Sequence, residues 1–398
     1  MQGKMPGVTL IADWDPKPGF KLGAKDIERR QTYLGSLVWR NPRLEIREYD
    51  IPTPGPEEVL LEVKACGICG SDVHMAQAGK DGYIFYPGLT GFPCILGHEF
   101  SGVVVEAGKN AFDKRTNKPF KGGERVTSEE MLWCGSCRPC ADGQPNHCER
   151  LNEVGFNVNG AYARYIVLPA RTIWSLEPLA ARYKGDDIFL AGSLVEPACV
   201  AYNAVIERGG GIRPGDRVVI LGGGPVGIAA CAILRRAGAS KVIISEPQPE
   251  RAAMALQLGA THAINPLKED FAERVLEITE GMGADLFMEA TGVPELVYPG
   301  IERVIWEGRT LNSTVVVTAR AEAKMPVTGE VLQVRRARIV GAQGHSGHGN
   351  FPRVIECMAD GMDLTPMITK KIPLDQVPEN IIGLQTDRSN CKITYVAD

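Results

Sequence analysis

The sequence predicts an α/β protein of two domains, the first β-rich and the second a doubly wound parallel sheet. Three observations carry this. The chain has 398 residues, more than one ordinary hydrophobic core serves. From Ser36 onward, short apolar runs alternate with Pro and Gly, the texture of strands and turns. After the stretch Leu194–Val200 the texture changes, and apolar strand-like runs alternate with helix-like segments.

Bulk composition narrows the function classes. Hydrophobic residues make up 44% and charged residues 23%, the balance of a soluble globular protein. A formal net charge of −4 with no basic run argues against nucleic acid or an anionic membrane as partner. The uncharged run Val218–Leu234 reaches membrane-like length, but Gly222-Gly223-Gly224-Pro225 would break a spanning helix, so a strand, turn and helix fit better. The N-terminus lacks the apolar core of a signal peptide, which leads us to expect a cytoplasmic protein. Eleven cysteines, several at metal-binding spacing, favour metal sites over disulfides.

In chain order, residues 1–33 mix Pro, Gly and charge without a clear period and read as an extension. Leu44–Glu48 alternates, and Val59–Val63 follows Pro54-Gly55-Pro56; both suggest strands. Next comes the chemically dense stretch Cys66-Gly-Ile-Cys69-Gly-Ser71-Asp72-Val-His74, then Gly97-His98-Glu99. Thiolate, imidazole and carboxylate are preferred zinc ligands, and Cys69, His98 and Glu99 leave a tetrahedral position open for substrate. Ala76–Phe92 and Ala111–Gly122 look like insertions, the first either a lid or an aromatic mini-core. Cys134, Cys137, Cys140 and, after seven residues, Cys148 supply four thiolates within a short loop. Four fixed ligands make a closed, structural zinc site; an iron–sulfur cluster is the competing occupant.

The second half opens on Arg217–Leu221, a buried-strand composition, running into Gly222-Gly-Gly224-Pro-Val-Gly227 and a helical stretch, Ile228–Ala237. Such a turn lets a pyrophosphate approach the backbone and the free N–H groups of the helix start. A second strand, Lys241–Ser245, ends in Glu246, 24 residues after Gly222, where an acid can accept from both ribose hydroxyls and repel a 2′-phosphate. NAD is therefore expected rather than NADP, with Arg251 the residue nearby that could favour a phosphate. Helices over Glu250–Leu258, Phe271–Glu280 and Glu295–Val304 then alternate with strands near Ala263–Ile264 and over Leu286–Glu289, Thr310–Val317 and Arg338–Val340. His345 and His348 read as surface loop residues or as lining of a cleft.

From about Ser36 to its end the chain resembles the zinc-dependent medium-chain alcohol dehydrogenases. The features are Cys-Gly-Ile-Cys-Gly-Ser-Asp-Val-His, Gly-His-Glu, the four-cysteine loop and Gly-Gly-Gly-Pro-Val-Gly, in the family's order. The resemblance implies a GroES-like β domain, residues 34–205 and 345–398, interrupted by a Rossmann domain, residues 206–344, with the active site between them. It implies two zinc ions per chain. Cys69 and His98 would hold the catalytic one with Glu99 as ligand or close neighbour, and Cys134, Cys137, Cys140 and Cys148 the structural one. Ser71 and His74 match proton-relay positions; Pro225, Val226 and Thr291 join the glycines at cofactor-binding positions. Glu196, in Glu196-Pro197, stands where ethanol-type members have a Cys ligand, as in polyol, threonine and butanediol dehydrogenases.

The implied activity is hydride transfer between NAD and a secondary alcohol of a polyol or cyclitol, in a homo-oligomer, dimer or tetramer. Threonine or butanediol oxidation is the alternative within the family. A zinc-independent quinone reductase and a non-catalytic metal-dependent binding protein are the competing classes.

Overall fold

The computed structural model describes residues 3–397. Its N-terminal segment corrects one expectation at once: the stretch read as an aperiodic extension contains an eleven-residue strand, β1 (Lys4–Trp14). β1 runs antiparallel to β2 (Trp39–Asp50), from the pair Lys4–Asp50 to the pair Trp14–Trp39. Val8, Leu10 and Trp39 are fully buried, so this strand is part of the first domain's core. The connecting segment packs against the first insertion: Trp39 meets Phe92 edge to face at 5.0 Å, and Thr32 pairs with Thr90. Tyr83, Ile84, Tyr86 and Phe92 are buried, as the aromatic-core reading of this insertion requires.

The strands of the first domain that frame the site, leaving aside four two-residue ones, continue with β3 (Glu58–Gly67), β4 (Cys94–Ile95), β5 (Glu99–Ala107), β6 (Arg125–Ser128), β7 (Tyr165–Pro169) and β8 (Ile173–Ser175). β4 pairs with β1 through Thr9–Ile95 and Leu10–Cys94. That contact fixes the backbone two residues before Gly97-His98-Glu99.

The second domain is a six-stranded parallel sheet: β9 (Arg217–Leu221), β10 (Lys241–Ser245), β11 (His262–Ile264), β12 (Leu286–Glu289), β13 (Thr314–Val317) and β14 (Arg338–Gly341). Numbered within the domain, the strands lie in the order 3-2-1-4-5-6. This is the dinucleotide-binding arrangement, whose crevice opens where the order reverses. Val218, Val219 and Ile220 are buried on both faces, which explains a strand with no alternation. β13 starts four residues later than the composition suggests, because Asn312 turns left-handed (φ 65°) just before it.

The chain then returns to the first domain as β15 (Ile368–Ile372) and β16 (Lys392–Val396). These complete a seven-stranded sheet in the order β8-β6-β5-β3-β16-β15, with β7 also pairing β3. One helical run, Asp187–Arg208, is long and apolar enough to cross a membrane, yet 89% of its most apolar window is buried inside the protein. Its part α2 (Val195–Tyr202) joins helices Pro225–Arg236 and Asn350–Ala359 in a core shared by both domains.

Leu10→Ala, which empties a fully buried site between β1 and β4, is expected to cost about 2–5 kcal/mol of stability. Denaturant unfolding that is unchanged by the substitution would contradict this placement of residues 4–14.

Candidate active site

Cys69 caps a short helix, α1 (Gly70–Ala76), and its backbone N–H donates to Asp72 Oδ2 at 2.9 Å. Asp72 is fully buried and also lies 3.0 Å from the Tyr162 hydroxyl. Its other oxygen, Oδ1, stands 3.7 Å from His98 Nδ1. Burial pushes the Asp72 carboxyl up, and His98 opposes that. For His98 burial works against the cation, but Asp72 and Cys69 overcome it and raise its pKa well above the ordinary value. The contact is electrostatic, without a hydrogen bond, and a carboxylate on the Nδ1 side leaves Nε2 available to a metal. Asp72 is thus a candidate positioning residue to which the motif alone gives no role.

Glu99 follows His98 on β5 and meets the expected partners: Cys69, His98 and Glu99 offer ligand atoms within 4.8 Å of one another. One Glu99 oxygen is already engaged, because Lys392 on β16 donates to Oε2 at 2.5 Å in a pair that is 2% exposed on both sides. A soft thiolate, an imidazole and one carboxylate oxygen fit zinc with a position to spare.

Glu196, on the first turn of α2, groups elsewhere. Its carboxylate, Glu130 and His345 lie within 4.8 Å of one another, with Glu196 Oε1 3.3 Å from His345 Nε2. Burial lifts its pKa to about 7, against the pull of His345 and His98. His345 is fully buried, so it is not a surface residue, whereas His348 is half exposed. Neither Glu130 nor Lys392 carries a local sequence signal; Glu130 reaches the site from the bend after β6 and Lys392 from β16.

Ser71 Oγ lies 3.3 Å from His98 Nε2. His74 sits one turn further along α1, and its pKa is lowered by burial and by Arg388.

The four cysteines close on one point. Cys137 Sγ is 3.4 Å from Cys140 Sγ and 3.8 Å from Cys148 Sγ. Thiolates about 2.3 Å from a tetrahedral zinc stand about 3.8 Å apart. Sulfurs this close enclose one ion and leave no room for a multi-iron core. Backbone N–H groups aim at them: Ser136 N donates to Cys134 Sγ and Cys134 N to Cys148 Sγ. With Ser136 leading these contacts, the Cys134 thiol is pulled down to about 5. The lobe around them buries only Met131, Cys137, Cys148 and Leu151 as its own core.

At the parallel sheet, Gly222–Gly227 joins β9 to α3 (Pro225–Arg236), and Pro225 and Val226 form that helix's first turn. A side chain at Gly227 would collide with the Gly222 carbonyl, so only glycine lets helix and strand close. Glu246 stands at the end of β10, accepting from Gly223 N at 2.6 Å and from Gln248 N at 2.7 Å. Thr291, past the end of β12, donates from its backbone and hydroxyl to Glu289. Arg251 is held by the Asn390 carbonyl at 2.9 Å.

Comparison with known proteins agrees with this geometry. The alcohol dehydrogenase GroES-like domain model matches residues 55–178, and the zinc-binding dehydrogenase model matches residues 225–360. Scyllo-inosose 3-dehydrogenase of Thermotoga maritima is 64% identical over 98% of this chain and 100% of its own length. The chain belongs to the zinc-dependent medium-chain alcohol dehydrogenases. A solved structure from Thermotoga maritima, described as an alcohol dehydrogenase, superposes with a TM-score of 0.95 at 63% identity, covering 98% of this chain and 100% of that one. A zinc-binding dehydrogenase from Sinorhizobium meliloti, bound to NADP, reaches 0.78 at 25% identity over 99% and 100% of the two chains. As a member of this family the protein is an oxidoreductase with the GroES-like and Rossmann domains seen here, and its four-cysteine loop fits a structural zinc.

Cys137→Ser is expected to lower thermal stability sharply, since that lobe has almost no apolar core without its metal, with turnover per folded molecule little changed. An unchanged melting temperature with lost activity would mean that the roles of the two metal sites are reversed.

Proposed function

We propose that this dehydrogenase uses NAD to oxidise a secondary alcohol of a cyclitol of the inositol and inosose type, or in reverse to reduce the corresponding ketone. The observation that carries this is 64% identity over essentially the whole chain to scyllo-inosose 3-dehydrogenase. The polar character of the site supports it, since buried Glu130, Glu196 and His345 suit a substrate covered in hydroxyls better than an aliphatic alcohol.

Cys69, His98 and Glu99 would hold the catalytic zinc, while Glu196, expected from the sequence as a further ligand, pairs instead with His345. Cys134, Cys137, Cys140 and Cys148 would hold the structural one. Bound zinc supplies Lewis acidity at the reacting oxygen, and bound nicotinamide supplies the hydride acceptor. Asp72 keeps His98 in the metal-binding orientation. Ser71 Oγ receives the hydroxyl proton and hands it toward His74, which passes it to solvent. The lowered pKa of His74 keeps its ring neutral, and so able to accept a proton, at neutral pH. Gly222, Gly224, Pro225, Val226 and Gly227 present the phosphate-binding turn, Thr291 lies across the same crevice, and Glu246 faces the adenosine ribose. Arg251 is tied to the Asn390 carbonyl, which favours a structural role over phosphate binding.

Kinetics on a panel of cyclitols, linear polyols, threonine, butanediol and ethanol should show the highest kcat/KM for a cyclitol or its keto form. Ethanol exceeding every cyclitol and polyol would defeat the substrate assignment. With either cofactor supplied, NAD should be preferred, and Glu246→Ser should shrink the preference by roughly tenfold because the carboxylate that repels a 2′-phosphate is gone. A wild-type preference for NADP would contradict the role given to Glu246. Arg388→Ala removes a positive charge that depresses the His74 pKa, so the acid limb of the oxidation rate should move to higher pH. An unmoved limb would show that protons leave by another route.

A further inference from the structure

Two adjacent glutamates after β6 have opposite fates. Glu129 is fully employed: its oxygens accept from the Trp174 indole at 2.8 Å and the Trp133 indole at 2.9 Å. Glu130 is 6% exposed, and its Oε2 has no hydrogen-bond partner among the described residues. Facing it is His345, fully buried, whose Nε2 is also without a hydrogen-bond partner of proper geometry and lies 3.4 Å from Glu130 Oε1. The loop carrying His345 is held firmly. Asn146 exchanges two hydrogen bonds with the Ser346 backbone, at 2.9 and 3.0 Å, and Asn203 donates to the Gln343 and Gly344 carbonyls. Ser346 Oγ sits 3.2 Å from His345 Nδ1, and a bond donated there leaves the ring proton on Nε2.

An unpaired buried acceptor and an unpaired buried donor each destabilise the site, and a ligand that bonds to both restores what is lost. Glu196 stands between this pair and the candidate zinc site: its Oε1 lies 3.3 Å from His345 Nε2, and its charge also acts on His98. The missing partner is therefore a group that accepts and donates at once, close to the reacting carbon. A hydroxyl does both.

We propose that Glu130 and His345 form the hydroxyl-reading wall of the substrate pocket, Glu130 Oε2 accepting from and His345 Nε2 donating to a ring hydroxyl next to the reacting carbon. The pair sets specificity and takes no part in hydride or proton transfer. The assignment rests on the cyclitol class proposed above. It makes the enzyme discriminate against substrates without that neighbouring hydroxyl, because binding them buries both groups unpaired; sites built this way discriminate by several powers of ten.

The test uses the zinc-loaded enzyme and its Glu130→Gln and His345→Gln variants, with myo-inositol or scyllo-inosose against cyclohexanol or cyclohexanone. The expected result is a roughly 10- to 100-fold loss of kcat/KM on the cyclitol, a change of less than about threefold on the plain ring, and two zinc ions retained. Equal losses on both substrates, no loss on the cyclitol, or loss of zinc from either variant would overturn the proposal. Should Glu130→Gln fold poorly, Glu130→Asp must show the same loss confined to the cyclitol, and an even loss overturns the proposal equally. A wild-type enzyme inactive on every cyclitol would overturn the substrate class itself, whereas an active wild type with insensitive variants would overturn only the wall.

Discussion

Beside His98 the fold gathers a thiol and two acids, Cys69, Asp72 and Glu99, with the charge of a third, Glu196, also acting on the ring, and takes nearly all of them out of water. Burying one unpaired charge costs several kcal/mol, so such a cluster persists only if cations are supplied. One is built in. Lys392 reaches Glu99 and also donates to the Ile68 carbonyl at 2.9 Å. Burial opposes its charge, yet Glu99 and Cys69 hold its pKa above the ordinary lysine value. In the proposed holoenzyme the second cation would be the metal, drawn to this point by the remaining negative charge.

This charge balance dictates the architecture around it. Lys392 can reach Glu99 only because β16 lies beside β3, with Thr394, Gly67 and Glu99 in one row across three strands. Gly67 is required at the middle of that row, since any side chain there would strike the Glu99 carboxylate and the Lys392 stem. The return of the chain to the first domain after β14 is therefore no incidental end to the fold, because it delivers the counter-charge. The closed cysteine site contrasts with this arrangement: its ligands come from one short loop, and backbone N–H groups provide the balancing dipoles.

Legibility in the sequence follows the range of the interactions. The cysteine loop, the glycine turn and strands Arg217–Leu221, Lys241–Ser245 and Leu286–Glu289 could be read directly, because spacing and local apolar runs determine them. β1 was hidden because Pro6 and Gly7 interrupt its pattern and its pairing partner begins at Trp39. Glu130 and Lys392 were silent for a different cause, and His345 was legible only as a loop or cleft residue without its partners. The partners of Glu130, His345 and Lys392 lie 215, 149 and 293 residues away in the chain, and no period or motif encodes such a meeting. Glu196 illustrates a middle case: its neighbour Pro197 marked it, while its partner His345 only the fold reveals.

Crystals of the holoenzyme measured at the zinc absorption edge provide the most direct test of the charge-balanced, open metal site. Two anomalous peaks per chain are expected, one inside the four-cysteine loop and one about 2.0–2.3 Å from Cys69 Sγ and His98 Nε2, with Lys392 still paired to Glu99. A second peak among Glu130, Glu196 and His345, with Cys69 and His98 unliganded, would contradict the account.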